Sequence, residues 1–288
     1  MHNKISPTDL ILTERGSVYH LNLSPEHVSD NIIAVGDPDR VAQVSKYFDE
    51  VIFRREQREF ITHTGHYRGK PITVISTGIG TDNIEILMVE LDALVNVDLQ
   101  RREVRSQLRK LRIVRIGTSG SLQEDVPVGT HLASAYGIGF DNLMQFYALT
   151  HSATETELAD EIQQQIGLPF RPYVVEGSRE LMTQIGFDMY KGNTITAPGF
   201  YAPQGRQVRI PIRFPPLLQK LEQFTHPRTG FRLTNFEMET AAYYSLGRLL
   251  GHETLSVNAI IANRIRNEFS TDHHEIVDNL IRKVLDRL

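Results

Sequence analysis

The chain has 288 residues, a formal charge of −4, eleven histidines and no cysteine. That length suffices for one large α/β domain with a sizeable core, and the absence of cysteine excludes disulfides, thiol nucleophiles and Cys-ligated metals. There is no basic surplus for nucleic acid, no apolar leader in Met1–Pro7 and no run near the ~18 apolar residues of a spanning helix, so a soluble cytoplasmic protein with small-molecule partners is expected, with neither nucleic acid nor membrane.

Strand-length apolar runs alternate with helical periodicities, which predicts α/β layers. The first run, Asn31–Val35, leads into Gly36-Asp37-Pro38-Asp39-Arg40, and the next, Pro71–Thr77, into Gly78-Ile79-Gly80-Thr81. Asp82 is placed to cap a helix with Ile84, Leu87, Leu91 and Leu94 on one face. Residues Asp98–Arg112 carry several Arg and Lys around Leu99, Val104 and Leu108, and read as a solvated helix or helical loop, secondarily as an oligomer contact. The strand Arg112–Ile116 places Arg115 at its end, beside the small residues Gly117-Thr118-Ser119-Gly120. Taken singly, a glycine at a strand end and an arginine near a turn are ordinary. Three such ends together favour an oxyanion pocket, because ligands of open α/β sheets sit outside the carboxyl ends of strands, where Gly-rich turns bring N–H groups close to a phosphate.

Further strands are expected at Thr130–Ala135, Thr194–Ala197 and Thr254–Ala262. The loop Pro198–Arg206 combines Phe200, which can pack on a planar base, with Gln204 and Arg206, which offer donors and acceptors to an imide edge. Glu237 and Glu239 precede the apolar helix Ala241–Leu250, where the helix dipole favours carboxylates in any protein. Alternatively, one of them accepts two hydroxyl hydrogen bonds from a sugar. Ile260 and Ile261 read as core, with one of them touching a ligand. The last helix is capped by Thr271 or Asp272 and carries an apolar stripe of Ile276, Leu280, Ile281, Val284, Leu285 and Leu288. No metal is expected, since the histidines lack ligand spacing. The third glycine of a dinucleotide fingerprint, a P-loop and a nucleophile elbow are all missing.

In chain order, Gly36-Asp37-Pro38-Asp39-Arg40, Arg58-Glu59-Phe60, Ser76-Thr77-Gly78-Ile79-Gly80, Arg115-Ile116-Gly117-Thr118-Ser119-Gly120 and Glu237-Met238-Glu239 resemble the motifs of the nucleoside phosphorylases, the purine and uridine phosphorylase family, from about Tyr19 to Leu288. Within it the chain is most similar to the uridine phosphorylases, because Phe200, Gln204 and Arg206 match their uracil-binding loop and Asn263 stands where purine enzymes carry an aspartate. The resemblance implies one domain over residues 1–288, with an N-terminal extension at 1–18 and a charged insertion at 96–112. It also implies a three-layer α/β/α fold around a central mixed, twisted β-sheet.

By the same resemblance, phosphate is held by Gly36, Arg40, Arg115 and Thr118, and by Arg58 from a second subunit. Ribose is held by Thr118, Glu237, Met238 and Glu239, with His20 crossing the dimer to the ribose 5′ end. Uracil faces Phe200, Gln204, Arg206 and Ile261, and Arg206, Arg115 and Glu239 carry the chemistry. Gly205 replaces a usual acidic residue, which implies a looser loop; Glu59 is retained but Asn83 replaces a serine beside a monovalent-cation site of relatives, so no ion is assigned. The implied reaction is phosphorolysis of uridine, with inorganic phosphate as co-substrate and no cofactor, in a homo-oligomer that is at least a dimer with shared active sites. A purine nucleoside phosphorylase, a nucleosidase or a non-catalytic nucleotide-binding protein could share the fold. Arg40, Arg58 and Arg115 favour phosphate over water, since three buried cations without an anion would be costly.

Overall fold

Four consecutive buried residues, Ile32–Val35, make β1 (Asn31–Val35) a strand covered on both faces, as central parallel strands require. The computed structural model describes residues 4–288. After β1 come α1 (Pro38–Ser45), the strands β2 (Glu50–Gln57), β3 (Phe60–Tyr67) and β4 (Lys70–Ser76), and α2 (Thr81–Asn96). The short β5 (Val97–Asp98) and β6 (Glu103–Val104) precede β7 (Arg112–Ser121), β8 (His131–Gly139), α3 (Ala153–Ile166) and β9 (Tyr173–Glu176). The chain ends with α4 (Arg179–Gln184), β10 (Tyr190–Thr196), α5 (Leu217–Gln223), β11 (Asn235–Glu237), α6 (Thr240–Leu250), β12 (Glu253–Asn263), β13 (Glu268–Phe269) and α7 (His273–Arg287).

β1 lies between β4 and β7, parallel to both, and β3 and β2 extend the sheet antiparallel beyond β4. On its other side β7 runs parallel to β12; β12 is antiparallel to β8, β8 parallel to β10, β10 parallel to β11, and β11 returns antiparallel to the end of β7. These five strands close a ring that the remaining strands extend into one eleven-stranded mixed sheet. Helices α2 and α6, with Val18, Leu21 and Leu23 of the N-terminal segment, cover one face. Helices α1, α4 and α7 cover the other, and α3 and α5 close the end over β8, β10 and β11. The result is the expected central mixed sheet between helical layers. Among the described residues no helix is long and apolar enough to cross a membrane.

α7 follows its sequence pattern: Asp272 caps it by accepting the Glu275 N–H at 3.2 Å, and Leu280, Ile281, Val284 and Leu285 are buried. Two expectations fail. Asp82 does not cap α2; Gly80 takes that position at φ 101°, because its N–H is drawn to Glu239 Oε1 at 2.8 Å and the chain must turn there. Segment 98–112 forms no helix. The Asp98 side chain accepts the N–H groups of Gln100 and Arg101, Arg102 turns at φ 60°, and β5 and β6 pair across the turn. Local side-chain bonds of this kind compete with helix formation. The stretch is solvated, as expected, with Val104 and Leu108 exposed.

Candidate active site

Val35 pairs with both Ser76 and Ile116, so the ends of β1 and β4 lie level with the middle of β7. A cleft of about 680 Å³ opens there, lined by Gly36, Arg40, Arg115, Thr118, Phe200, Gln204, Arg206, Glu237, Met238, Glu239 and Ile261. Arg115 does not end a strand, contrary to the sequence expectation. Its small neighbours Gly117 to Ser121 continue β7, held by β12 on one side and by β11 at the tip.

Along a strand, side chains two apart share a face, and Gly117 leaves the slot that the Arg115 guanidinium fills; a Cβ at Gly117 would overlap it. Arg115 is 5% exposed. It donates to Glu239 Oε2 at 2.6 Å, Asn258 Oδ1 at 2.9 Å and Ser256 Oγ at 3.3 Å, and lies 3.2 Å from Glu237 Oε2. Burial alone would lower its pKa, but Glu237 and Glu239 outweigh burial and hold it raised.

The two glutamates have different duties. Glu237 accepts Thr196 Oγ1–H at 2.6 Å and the N–H groups of Glu239 and Thr240 at 2.9 and 2.8 Å, which caps the start of α6. Its carboxyl is pushed up by burial, with Arg115 pulling the other way. Glu239 takes Arg115 on Oε2 and the Gly80 N–H on Oε1. Each carboxylate oxygen offers two lone pairs, so Glu239 keeps acceptor capacity toward the cleft, beside Met238.

At the α1 end, Arg40 is half-buried, and among the described residues its one side-chain hydrogen bond is to the Ile116 carbonyl at 3.4 Å. No carboxylate lies within 4 Å of it among the described residues. Burial lowers its pKa, Asp37 opposes that, and Arg115 adds to it. The argument from three buried cations therefore narrows to one. Arg115 is neutralised by protein acids and Arg58 is exposed, whereas Arg40 lines the cleft with Gly36 and Thr118 and has no ion-pair partner among the described residues.

At the opposite end, Gln204 is buried, and its Oε1 accepts Arg206 Nη1–H at 2.5 Å. The Arg206 guanidinium lies 3.9 Å from the centre of the Phe200 ring, a cation–π stack. Gly205 sits inside this loop. At φ 70° it closes the turn in which Arg206 N–H reaches the Tyr201 carbonyl at 2.8 Å. Burial pushes the Arg206 guanidinium down to about 10, with Arg264 adding to the effect and Tyr201 opposing it. Arg264 was missed in the sequence. It follows β12, donates to the Gln204 carbonyl at 3.2 Å and has no acid within 4 Å among the described residues. A cation just beyond a buried strand, the signal that singled out Arg40, applies to Arg264 as well.

Three residues lie elsewhere. The Asn263 amide donates to the Gln123 and Val126 carbonyls at 3.0 Å each and accepts the N–H groups of Ile265 and Arg266. It is buried structure and not part of the cleft. Arg58 and His20 are also outside it, joined through Tyr19: the Arg58 guanidinium is 6.0 Å from the Tyr19 ring, and the His20 ring stands edge-on to it at 5.0 Å.

Comparison with known proteins agrees with this architecture. Residues 31–288 match the model of the phosphorylase superfamily. The chain is 30% identical, over 89% of its length and 81% of the relative's, to a protein of Thermococcus kodakarensis named uridine phosphorylase. Its structure is similar to that of a Trypanosoma brucei nucleoside phosphorylase described as showing uridine phosphorylase activity, with a TM-score of 0.90, 29% identity and coverage of 97% and 99% of the two chains. A Toxoplasma gondii purine nucleoside phosphorylase, at 19% identity, TM-score 0.67 and coverage of 96% and 97%, shares the fold. The chain belongs to the phosphorylase superfamily and is a pentosyltransferase of the nucleoside phosphorylase kind.

Proposed function

We propose that this chain is a uridine phosphorylase, working as a homo-oligomer that is at least a dimer, with phosphate as co-substrate and no cofactor. The observation that carries the choice of base is the buried Gln204 locked to Arg206 over Phe200. Gln204 Oε1 keeps a lone pair for the uracil N3–H, while its Nε2 and the guanidinium donate to the two carbonyls. The cleft carboxylates Asp37, Glu59, Glu237 and Glu239 all come from segments other than the base loop and the end of β12. The names of the T. kodakarensis and T. brucei relatives support the same reading.

In this reading phosphate sits between Gly36, Arg40 and Thr118 and attacks ribose C1′ as the bond to uracil N1 breaks. The transition state resembles an oxocarbenium ion. Glu239, fixed by Arg115 and Gly80, holds the ribose hydroxyls, and Arg206 meets the charge that develops on the leaving base. With uridine, release of uracil and ribose 1-phosphate is expected only when phosphate is supplied, and Arg40→Ala is expected to raise the KM for phosphate. Equal uracil release without phosphate would make the chain a nucleosidase.

Arg58 and His20, outside their own cleft, serve a neighbour's. Arg58→Ala mixed with Arg206→Ala should then regain about a quarter of wild-type activity, because half of the dimers are hybrids with one intact site each. Demonstrated subunit exchange with no regained activity would overturn the shared site.

A further inference from the structure

Glu90 lies on α2 among the buried residues Leu87, Leu91 and Leu94 and is 7% exposed. A carboxylate in an apolar stripe contributes nothing to helix packing and is costly unless its oxygens are satisfied. Its partners all come from one place in the N-terminal segment. Oε1 accepts the His20 N–H at 3.0 Å and faces His20 Nδ1 at 2.7 Å, and Oε2 accepts the Leu21 N–H at 2.9 Å. Carboxylate oxygens only accept, so the proton of the ring contact is on Nδ1. In the neutral ring that leaves Nε2 as an acceptor, on a side chain that is 31% exposed. Arg58 shares this surface through Tyr19.

We infer that Glu90 is a positioning residue: it fixes the ring orientation and tautomer of His20 so that Nε2 accepts the 5′-hydroxyl of the nucleoside bound in a neighbouring subunit. The inference rests on the uridine phosphorylase reading and deepens it, assigning the 5′ specificity of the site to a carboxylate that never touches substrate. In Glu90→Gln the side-chain amide can still accept the backbone N–H groups, but its NH₂ group turns the ring contact around. Nδ1 then accepts and Nε2 carries the proton, the wrong polarity for an acceptor.

The test compares kcat/KM for uridine and for 5′-deoxyuridine, which lacks the hydroxyl, in the full-length enzyme. The uridine to 5′-deoxyuridine ratio should fall about five- to tenfold in Glu90→Gln, the value of one hydrogen bond. It should fall similarly in His20→Ala and no further in the double variant, since two residues acting through one contact are not additive. A carboxylate that merely staples the N-terminal segment would lower both substrates alike. An unchanged ratio, or additive losses, would overturn the inference. A second readout needs no turnover: the imidazole ¹⁵N–¹H spectrum of the substrate-free protein should show His20 protonated on Nδ1 in the wild type and on Nε2 in Glu90→Gln. A wild-type ring protonated on Nε2 alone would refute the positioning role. Wild-type protein that cleaves no uridine would refute the assigned function and leave the spectrum to decide the tautomer.

Discussion

At one end of the cleft, Arg115 is buried between Glu237 and Glu239, with Asn258 and Ser256 taking its other donors. At the other end, Arg206 lies half-exposed on Phe200, bound to Gln204 and a carbonyl and next to a second cation, Arg264. The first guanidinium is held raised by its acids and the second is pushed down by burial. An arginine neutralised by the protein belongs to the frame, and its loss strands the acids that it balanced. An arginine without an acid strands no charge when it is removed, and in the proposed reaction its loss is felt at the ligand.

That contrast is open to direct attack. Arg115→Ala leaves two buried carboxylates uncompensated and is expected to destabilise the fold by about 3–5 kcal/mol in urea unfolding, with activity lost alongside. A loss under about 1 kcal/mol, within the range of ordinary surface changes, would break the comparison. Arg206→Ala should do the reverse. Unfolding should shift by less than about 1 kcal/mol, while turnover of uridine falls on the order of 10²–10³ with the loss of one transition-state donor.

Gly117→Ala sharpens the frame half, since the added methyl enters the slot of the Arg115 guanidinium. Overpacking there should cost about 1–3 kcal/mol, and neutral behaviour in thermal unfolding would show that the slot is not tight. The smallest effect lies far from the cleft, at Glu155. Burial opposes its ionisation, but Arg248 and the N–H groups of Ser152 and Glu176 hold it down at about 2. A depressed carboxyl stabilises the fold above its ordinary value of 4.5 and loses that contribution as pH falls toward 2. Glu155→Gln should therefore cost about 1–2 kcal/mol at pH 7, with the gap to wild type closing between pH 4.5 and 2 and turnover per folded molecule unchanged. A gap independent of pH would contradict the assignment.

Elements with clean periodicity were legible in the sequence: β1 as an unbroken apolar run, α7 as a capped stripe, and β12 as a long buried strand. β2 and β3 were not. β2 alternates charged residues at a sheet edge, and β3 buries the polar His63 and Thr64, whose partners Ser45 and Thr73 come from other segments. The second half of β7 reads as a turn because its residues are small, and only pairing with β11 and β12 makes it a strand. Within the site, the cleft-lining residues were identifiable by type and order. What each one binds was not, because the Arg115 acids are 122 and 124 positions away and nothing local marks Asn263 as buried structure, whereas the place of Glu237 at the start of an apolar helix was readable from its neighbours.

The measurement that bears most directly on the central claim is product formation from uridine, inosine and cytidine in parallel, at saturating phosphate. A base edge made by Gln204 and Arg206 rejects ligands that leave those groups unpaired, often by ~10⁴-fold. Cytidine sets a donor against a guanidinium that can only donate. Rapid release of uracil, with hypoxanthine and cytosine near background, is the expected result. Inosine cleaved at a rate comparable to uridine would contradict the uridine assignment.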